Sequence, residues 1–455
     1  MVAGTSSSAG KSTIVAAICR ILAKRGYEVA PFKAQNMSLN SFVTKNGKEI
    51  AFAQAYQAFA AGIEPDERMN PILLKPKGNF VSQLVVMGEV VGDVSYIDYL
   101  KLEWLKDVVM RAYEELASEF EIIVIEGAGG FAEINLFERD IPNIFVARFA
   151  KPKIVIVGDI DRGGVFASLY GTYMLLPSDV RELVKGFIIN KLRGRKELLD
   201  DGIRKIEEIC GVKVLGVLPY LEINLPSEDS LNLEEWKGNG PVKILKLPRM
   251  SNYTDFESVR NVCHFSKDLS GDFEVLIVPG SKDTVADLAY LKTLEDEIRA
   301  IAGKKPIIGI CGGYQMLGKE IIDHGVEHGF LRVKGLGLLD AFTEFRSYKK
   351  ITKQVVKKVT GDAVILEEIR GQKVWGYEIH KGITKASRPV LEDDGCVSDD
   401  GMVWGTYLHG IFWNKNLIEA LGNYLGLKIE FREDWAERLA EEFEKNINLS
   451  FLFEY

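Results

Sequence analysis

Histidine and cysteine are both scarce, five of each in 455 residues. The cysteines (Cys19, Cys210, Cys263, Cys311 and Cys396) stand far apart with no C-x-x-C pair, which argues against a disulfide framework or a zinc ribbon and for reduced thiols. Basic charge is also short. Fifty-seven Lys and Arg face 65 Asp and Glu for a net charge of −8, so no general nucleic-acid binder is expected. No stretch reaches the ~18 uninterrupted apolar residues that cross a bilayer, and the N-terminal segment has no signal-peptide cleavage pattern. The expectation is a cytoplasmic protein with no membrane and no nucleic-acid partner; whether it forms a homo-oligomer is left open. His324 and His328 in Asp323-His-Gly-Val-Glu-His-Gly329 match the letters of an H-x-x-E-H metal motif. That motif needs a helix, which Gly325 and Gly329 oppose, so the segment reads as a solvated turn. The remainder is ordinary globular composition, 47% hydrophobic and 27% charged, in a chain long enough for two or three domains.

Gly4-Thr-Ser-Ser-Ser-Ala-Gly-Lys-Ser-Thr13 is a phosphate-binding loop, one residue longer between its glycines than the common G-x-x-x-x-G-K-[ST] form. Small residues (Gly4, Thr5, Ser8, Ala9, Gly10) let backbone N–H groups curl round phosphate oxygens. Lys11 neutralises β/γ charge, Ser12 is a Mg²⁺ ligand, and the helix expected from Ile14 to Arg25, which Thr13 leads into, points its positive end at the anion. Only Met1–Ala3 precede Gly4, so the leading strand is expected to be either clipped or very short. Glu121-Ile-Ile-Val-Ile-Glu-Gly-Ala-Gly-Gly130 reads as a buried parallel strand ending in a carboxylate. Glu126 is thus either a metal ligand or a helix cap. Lys153-Ile-Val-Ile-Val-Gly-Asp-Ile-Asp-Arg162 repeats the pattern, with Asp159, Asp161 and Arg162 at the same sheet edge in roles that sequence does not separate. Asn190, ending another strand, is placed so that its side-chain amide reads an adenine edge. Lys33, Gln35, Asn36, Ser38, Asn40 and Ser41 form a polar cluster after the apolar run Val29–Phe32, either a turn or a substrate wall.

A second chemistry lies in the other half. Pro306-Ile-Ile-Gly-Ile-Cys-Gly-Gly-Tyr-Gln315 is a strand running into a glycine turn with a thiol at its tip, the form of a nucleophile elbow. A lone cysteine here is equally a buried structural thiol, but two features weigh against that. Phe273-Glu-Val-Leu-Ile-Val-Pro-Gly-Ser281 ends in a turn able to supply an oxyanion-binding N–H, and Trp404-Gly-Thr-Tyr-Leu-His-Gly410 offers His409 as a base. Gln315, one turn past the thiol, is either a substrate contact or a capping amide.

Strand-like apolar runs near 27–32, 121–126, 153–158, 186–190 and 213–218 alternate with helical or glycine-turn segments, Trp104 to Glu119 and Lys196 to Cys210 being the clearest helices. This is the pattern of an α/β, doubly wound parallel sheet. The polar, proline-bounded stretch 224–241 reads as a linker. A second α/β unit follows, and the tail from Leu417 to Asn446 carries two helical patterns expected to pack on it.

The Cys311 segment and its partners resemble the class I glutamine amidotransferase domain. That resemblance implies Cys311 as nucleophile, His409 as its acid/base partner, and the N–H groups of Gly280 and Gly312 as the oxyanion hole. The commoner members carry a Glu two residues after the His, where this chain has Ile411. The third member is therefore missing or comes from elsewhere, Glu378 being one candidate. The first half resembles the dethiobiotin synthetase-like branch of P-loop proteins, and the partitioning-type nucleotide switches are disfavoured because their second loop lysine is absent. The string Pro31-Phe-Lys-Ala-Gln-Asn-Met-Ser-Leu-Asn-Ser41, with Glu49–Ala58 and Asn70–Pro76, resembles the cobyric acid synthase family more than its sisters, the a,c-diamide synthases and the cell-wall-precursor amidases. That resemblance implies a P-loop doubly wound synthetase domain over 1–223, the 224–241 linker, and an amidotransferase domain with C-terminal helices over 242–455. It further implies ATP and Mg²⁺ (Ser12, Glu126) as cofactors, L-glutamine and a corrinoid as substrates, and the Lys33–Ser41 cluster as the corrinoid wall.

Overall fold

The computed structural model describes residues 1–78, 80–221, 240–347, 350–429 and 435–453. They form two compact units: Met1–Ser38 with Glu49–Glu228 and Glu433–Tyr455, and Leu39–Lys48 with Asp229–Arg432. The expected linker lies outside the described residues except for Gly240 and Pro241.

In the first unit six parallel strands run in the order Val29–Phe32, Ile122–Ile125, Val2–Gly4, Ile154–Asp159, Val184–Leu192 and Val214–Pro219, the second and third joined by a Val2–Glu126 bridge. Every residue of Ile154–Asp159 is buried, as a parallel sheet covered on both faces requires. Ile154 and Ile156 pack with Val165 and Leu169 of the helix Val165–Leu175 and with Ile206 of Asp200–Cys210. Each strand run expected from the sequence is a strand, and Trp104–Glu119 is a helix with those limits. The leading strand Val2–Gly4 is three residues long.

The sequence reading did not anticipate a second sheet in this unit. Gln35–Met37, Ile72–Gly78, Val81–Val86 and Glu89–Ser95 pair in that order, the last three antiparallel. Between its final strands, Met87 and Gly88 both take positive φ (47° and 73°), the geometry of a tight hairpin turn.

The tail divides between the units, which corrects the expectation that both of its helices belong to the second. Lys415–Leu425 belongs to the second unit, but Trp435–Asn446 packs in the first. Its Glu437 pairs with Arg20 (3.0 Å) and Lys24, Glu444 pairs with Arg25 (3.0 Å), and Trp435 stacks on Tyr56 at 3.7 Å. The helix that follows the phosphate loop, with its C-cap Arg25, presents these basic residues, and they complement the acidic side chains of a helix attached through buried Leu439, Ala440 and Phe443.

The second unit centres on a parallel sheet ordered Cys263–Ser266, Val242–Leu245, Val275–Val278, Ile307–Ile310 and Val403–Thr406, with Cys396–Val397 antiparallel at the edge. A hairpin, Ile351–Lys358 with Lys373–His380, lies beside it in sequence. Glu320–His324 is a strand and 325–329 a turn whose N–H groups donate to the Asp323 carboxylate, so the H-x-x-E-H letters do not fall on a helix. No helix among the described residues is long and apolar enough to cross a membrane.

Candidate active sites

In the first unit the phosphate loop joins Val2–Gly4 to the helix Lys11–Lys24. Gly10 has φ +97°, and a Cβ there would lie 2.1 Å from the Asn190 amide nitrogen, so both conformation and space demand glycine. Asn190 Nδ2 donates to the Ala9 carbonyl (2.9 Å), and Lys191 Nζ donates to the Ser8 carbonyl (2.7 Å) while pairing with Asp159 (2.9 Å). The amide considered for an adenine edge is thus engaged in bracing the loop. Asp159 also accepts from the Asp161 N–H, and Arg193 pairs with Asp161, so these carboxylates fix the strand ends.

Lys11 Nζ donates to the carbonyls of Ser6 (3.0 Å) and Gly129 (2.9 Å). Glu126, fully buried, is the hub. Its Oε1 accepts from Ser12 Oγ at 2.7 Å and pairs with Lys33 Nζ at 2.5 Å, and its Oε2 accepts from Gln57 and, at 3.3 Å, from Gln54. A carboxylate removed from water is stable only when paired and hydrogen-bonded, and Ser12, Lys33, Gln54 and Gln57 serve that purpose here. Hard oxygen donors from Ser12 and Glu126 meeting beside a phosphate loop suit Mg²⁺. The helix-cap alternative for Glu126 does not describe these contacts.

The six-residue polar cluster does not stay together. Lys33 reaches Glu126, Gln35 accepts from Tyr99 Oη (2.5 Å), Asn36 Nδ2 donates to Gln54 (2.9 Å), and the Ser38 N–H donates to the Leu74 carbonyl (3.0 Å), all in the first unit. Asn40 and Ser41 belong to the second unit. Asn40 Oδ1 accepts from the Tyr253 N–H and the Ser41 N–H donates to Asn252 Oδ1. Ser41 is fully buried and Asn40 nearly so. The six residues named from the sequence are thus divided, Lys33 to Ser38 in the first unit and Asn40 and Ser41 in the second.

In the second unit Cys311 stands between the strand Ile307–Ile310 and the helix Gly312–Leu317 with φ 52° and ψ −106°, a strained conformation of the kind that presents a nucleophile at an elbow. The elbow lies so close to the neighbouring strand that a Cβ on Gly313 would meet the Val278 carbonyl at 1.9 Å. Gly280 and Gly312 flank the thiol's surroundings: a Cβ on Gly280 would be 3.2 Å from His409 Cε1, and one on Gly312 2.9 Å from the Ser281 nitrogen. Gln315 accepts from Thr284 Oγ1 (3.1 Å) and donates to Tyr407 Oη (2.9 Å), so its amide is held between side chains.

The carboxylate that meets His409 is Asp255. Its Oδ2 lies 2.7 Å from His409 Nδ1, and its Oδ1 accepts the Gly410 N–H at 2.9 Å. Burial alone would lower the His409 pKa, but the charges of Asp255 and Cys311 and hydrogen bonds to both outweigh it and raise the value to about 10. Glu378 is committed elsewhere, to Lys357 (2.6 Å) and Lys353 (3.1 Å). Burial opposes its ionisation, yet His380 and those lysines hold its pKa down to about 2.

Residues 1–231 match the family model described as the CobQ/CobB/MinD/ParA nucleotide binding domain, and 241–417 match that of the CobB/CobQ-like glutamine amidotransferase domain. A protein named "Probable cobyric acid synthase" from Archaeoglobus fulgidus is 67% identical over 99% of this chain and 99% of its own length. Proteins of the same name from Methanosarcina acetivorans and Methanosarcina mazei are 50% and 51% identical over all of this chain and 98% of theirs. The chain belongs to the cobyric acid synthase family. As a member of that family it is an amide-forming ligase of the glutamine amidotransferase type.

Sequence reasoning missed four polar residues of this cobyric acid synthase family member's sites. Gln54 and Gln57 were readable as an i, i+3 amide pair on an otherwise apolar helix, Phe52–Ala61. Lys191, beside Asn190, had only its position at a strand end to single it out. Asp255 had no local signal at all.

Proposed function

We propose that the protein performs the ATP- and glutamine-dependent amidation of the b, d, e and g side-chain carboxylates of adenosylcobyrinic acid a,c-diamide, giving adenosylcobyric acid in cobalamin biosynthesis. The observation that carries this reading is that one chain holds a Cys311–His409–Asp255 constellation as well as a phosphate loop whose Ser12 meets Lys33 at Glu126.

In the amidotransferase half, the Cys311 sulfur attacks the glutamine side-chain amide. N–H groups at Gly280 and Gly312 receive the oxyanion, and His409 protonates the departing ammonia. Water, deprotonated by His409, then releases glutamate from the thioester. In the synthetase half, Lys11 and the Gly4–Thr13 backbone hold the phosphates of ATP. Mg²⁺, held by Ser12 and Glu126, would supply charge neutralisation on those phosphates. The γ-phosphoryl passes to a substrate carboxylate, leaving ADP. Ammonia then attacks the acyl phosphate, the C–O bond breaks, and phosphate leaves. Lys33, Gln35, Asn36 and Ser38 form the polar wall proposed for the corrinoid's carboxylates and amides.

The test is incubation with Mg·ATP, glutamine and adenosylcobyrinic acid a,c-diamide, counting carboxylate-to-amide conversions by mass spectrometry. Four ATP-dependent conversions are expected. No conversion, with cobyrinic acid gaining two amides instead, would transfer the assignment to the a,c-diamide synthase activity.

A further inference from the structure

The second unit includes a segment from far upstream, Leu39–Lys48, whose flanking residues Ser38 and Glu49 both belong to the first. Side chains tie in its backbone: Gln354 Nε2 donates to the Val43 carbonyl (2.8 Å) and Thr352 Oγ1 to the Gly47 carbonyl (2.6 Å). Its first residues reach both neighbours of His409. Asn40 Oδ1 accepts the Tyr253 N–H (3.2 Å), and the Ser41 N–H donates to Asn252 Oδ1 (3.1 Å). Asn252 has a left-handed backbone, φ 53°, and its carbonyl accepts the N–H of Asp255, so this turn sets where the Asp255 carboxylate falls. On the other side, Tyr377 Oη donates to the Ser41 carbonyl (2.8 Å) and the Phe42 ring lies 5.2 Å from the Tyr377 ring. Tyr377 in turn stacks on the His409 imidazole at 5.3 Å and 18°, and the two residues exchange backbone hydrogen bonds of 2.9 and 3.1 Å.

We infer that Asn40, Ser41 and Phe42 are positioning residues of the glutaminase centre. They clamp the Asn252 turn, and so Asp255, on one side of His409 and Tyr377 on the other, although they lie upstream of most of the synthetase half. The inference rests on the roles proposed above for Cys311 and His409. Acid–base chemistry between a thiol and an imidazole depends on orientation at the ångström level, and a displacement of about 1 Å costs up to ~100-fold in rate. The clamp therefore acts on turnover more than on binding of glutamine.

The test uses the full chain carrying Asn40→Ala, Tyr377→Phe or Cys311→Ala. Glutamine hydrolysis, amidation with glutamine, amidation with high ammonium, and Tm are measured for each. Asn40→Ala and Tyr377→Phe are expected to lower kcat for glutamine hydrolysis roughly 10- to 100-fold, with KM changed less than about twofold and ammonium-supported amidation intact. Asn40→Asp, which keeps the acceptor oxygen, is expected to recover most of the loss. Unchanged kcat in both variants, or parallel loss with both nitrogen sources alongside a lowered Tm, would overturn the clamp. Glutamine hydrolysis persisting in Cys311→Ala would instead overturn the underlying assignment of the thiol.

Discussion

His409 is subject to two opposed effects, burial favouring the neutral ring and the Asp255 and Cys311 charges favouring the cation, and the charges win, raising its pKa to about 10. Because this folded value lies above the ordinary imidazole value of about 6.5, the stabilisation is complete below that ordinary value and is lost as pH rises through about 10. Asp255→Asn removes the charge while keeping the shape, so the alkaline limb of the kcat profile for glutamine hydrolysis should move to lower pH and kcat should fall. A profile identical to that of the unaltered protein would show that Asp255 does not govern the His409 proton. Cys311→Ala should abolish glutamine-supported amidation and spare the reaction with high ammonium. Cys311 and His409 were legible because each sits in a string with its own local signature. Asp255 was not, because the fold brings it to His409 from 154 positions away with nothing near it in sequence to mark its partner.

The phosphate loop is an element whose backbone does the binding, so its weakest point is where a side chain would intrude. Gly10→Ala would force a Cβ against the Asn190 amide in a backbone region with φ +97°. Amidation should be lost with glutamine and with ammonium alike, while glutamine hydrolysis at Cys311 continues. Loss of hydrolysis as well would mean that the substitution acts beyond the loop. Parallel strands were legible here because burial on both faces makes them continuous apolar runs, as in Ile154–Asp159. The hairpin Val81–Val86 with Glu89–Ser95 was not, because Met87 takes a positive φ that methionine does not advertise and because half-exposed Glu89–Ser95 lacks an apolar run. The division of the polar string Lys33–Ser41 between the units was hidden for a related reason. Spacing along the chain does not reveal that Ser38 ends in one unit and Asn40 in the other.

Two patterns adjacent in sequence, Lys415–Leu425 and Trp435–Asn446, fold into different units, so proximity along the chain is a poor guide to which core a terminal helix completes. Physical complementarity is the better one. The acidic Glu437 and Glu444 answer Arg20, Lys24 and Arg25, and Ile447 forms a bridge with Gly216 of the edge strand. The ion pairs are part-exposed and screened by water, so the apolar face carries the attachment. Phe443→Ala, at a buried position, should cost about 3–5 kcal/mol, and it should do so in the unit that holds the phosphate loop. On gradual heating of this variant, ammonium-supported amidation is expected to disappear at a lower temperature than glutamine hydrolysis. The reverse order would return the helix to the amidotransferase, as its place in the chain first suggested.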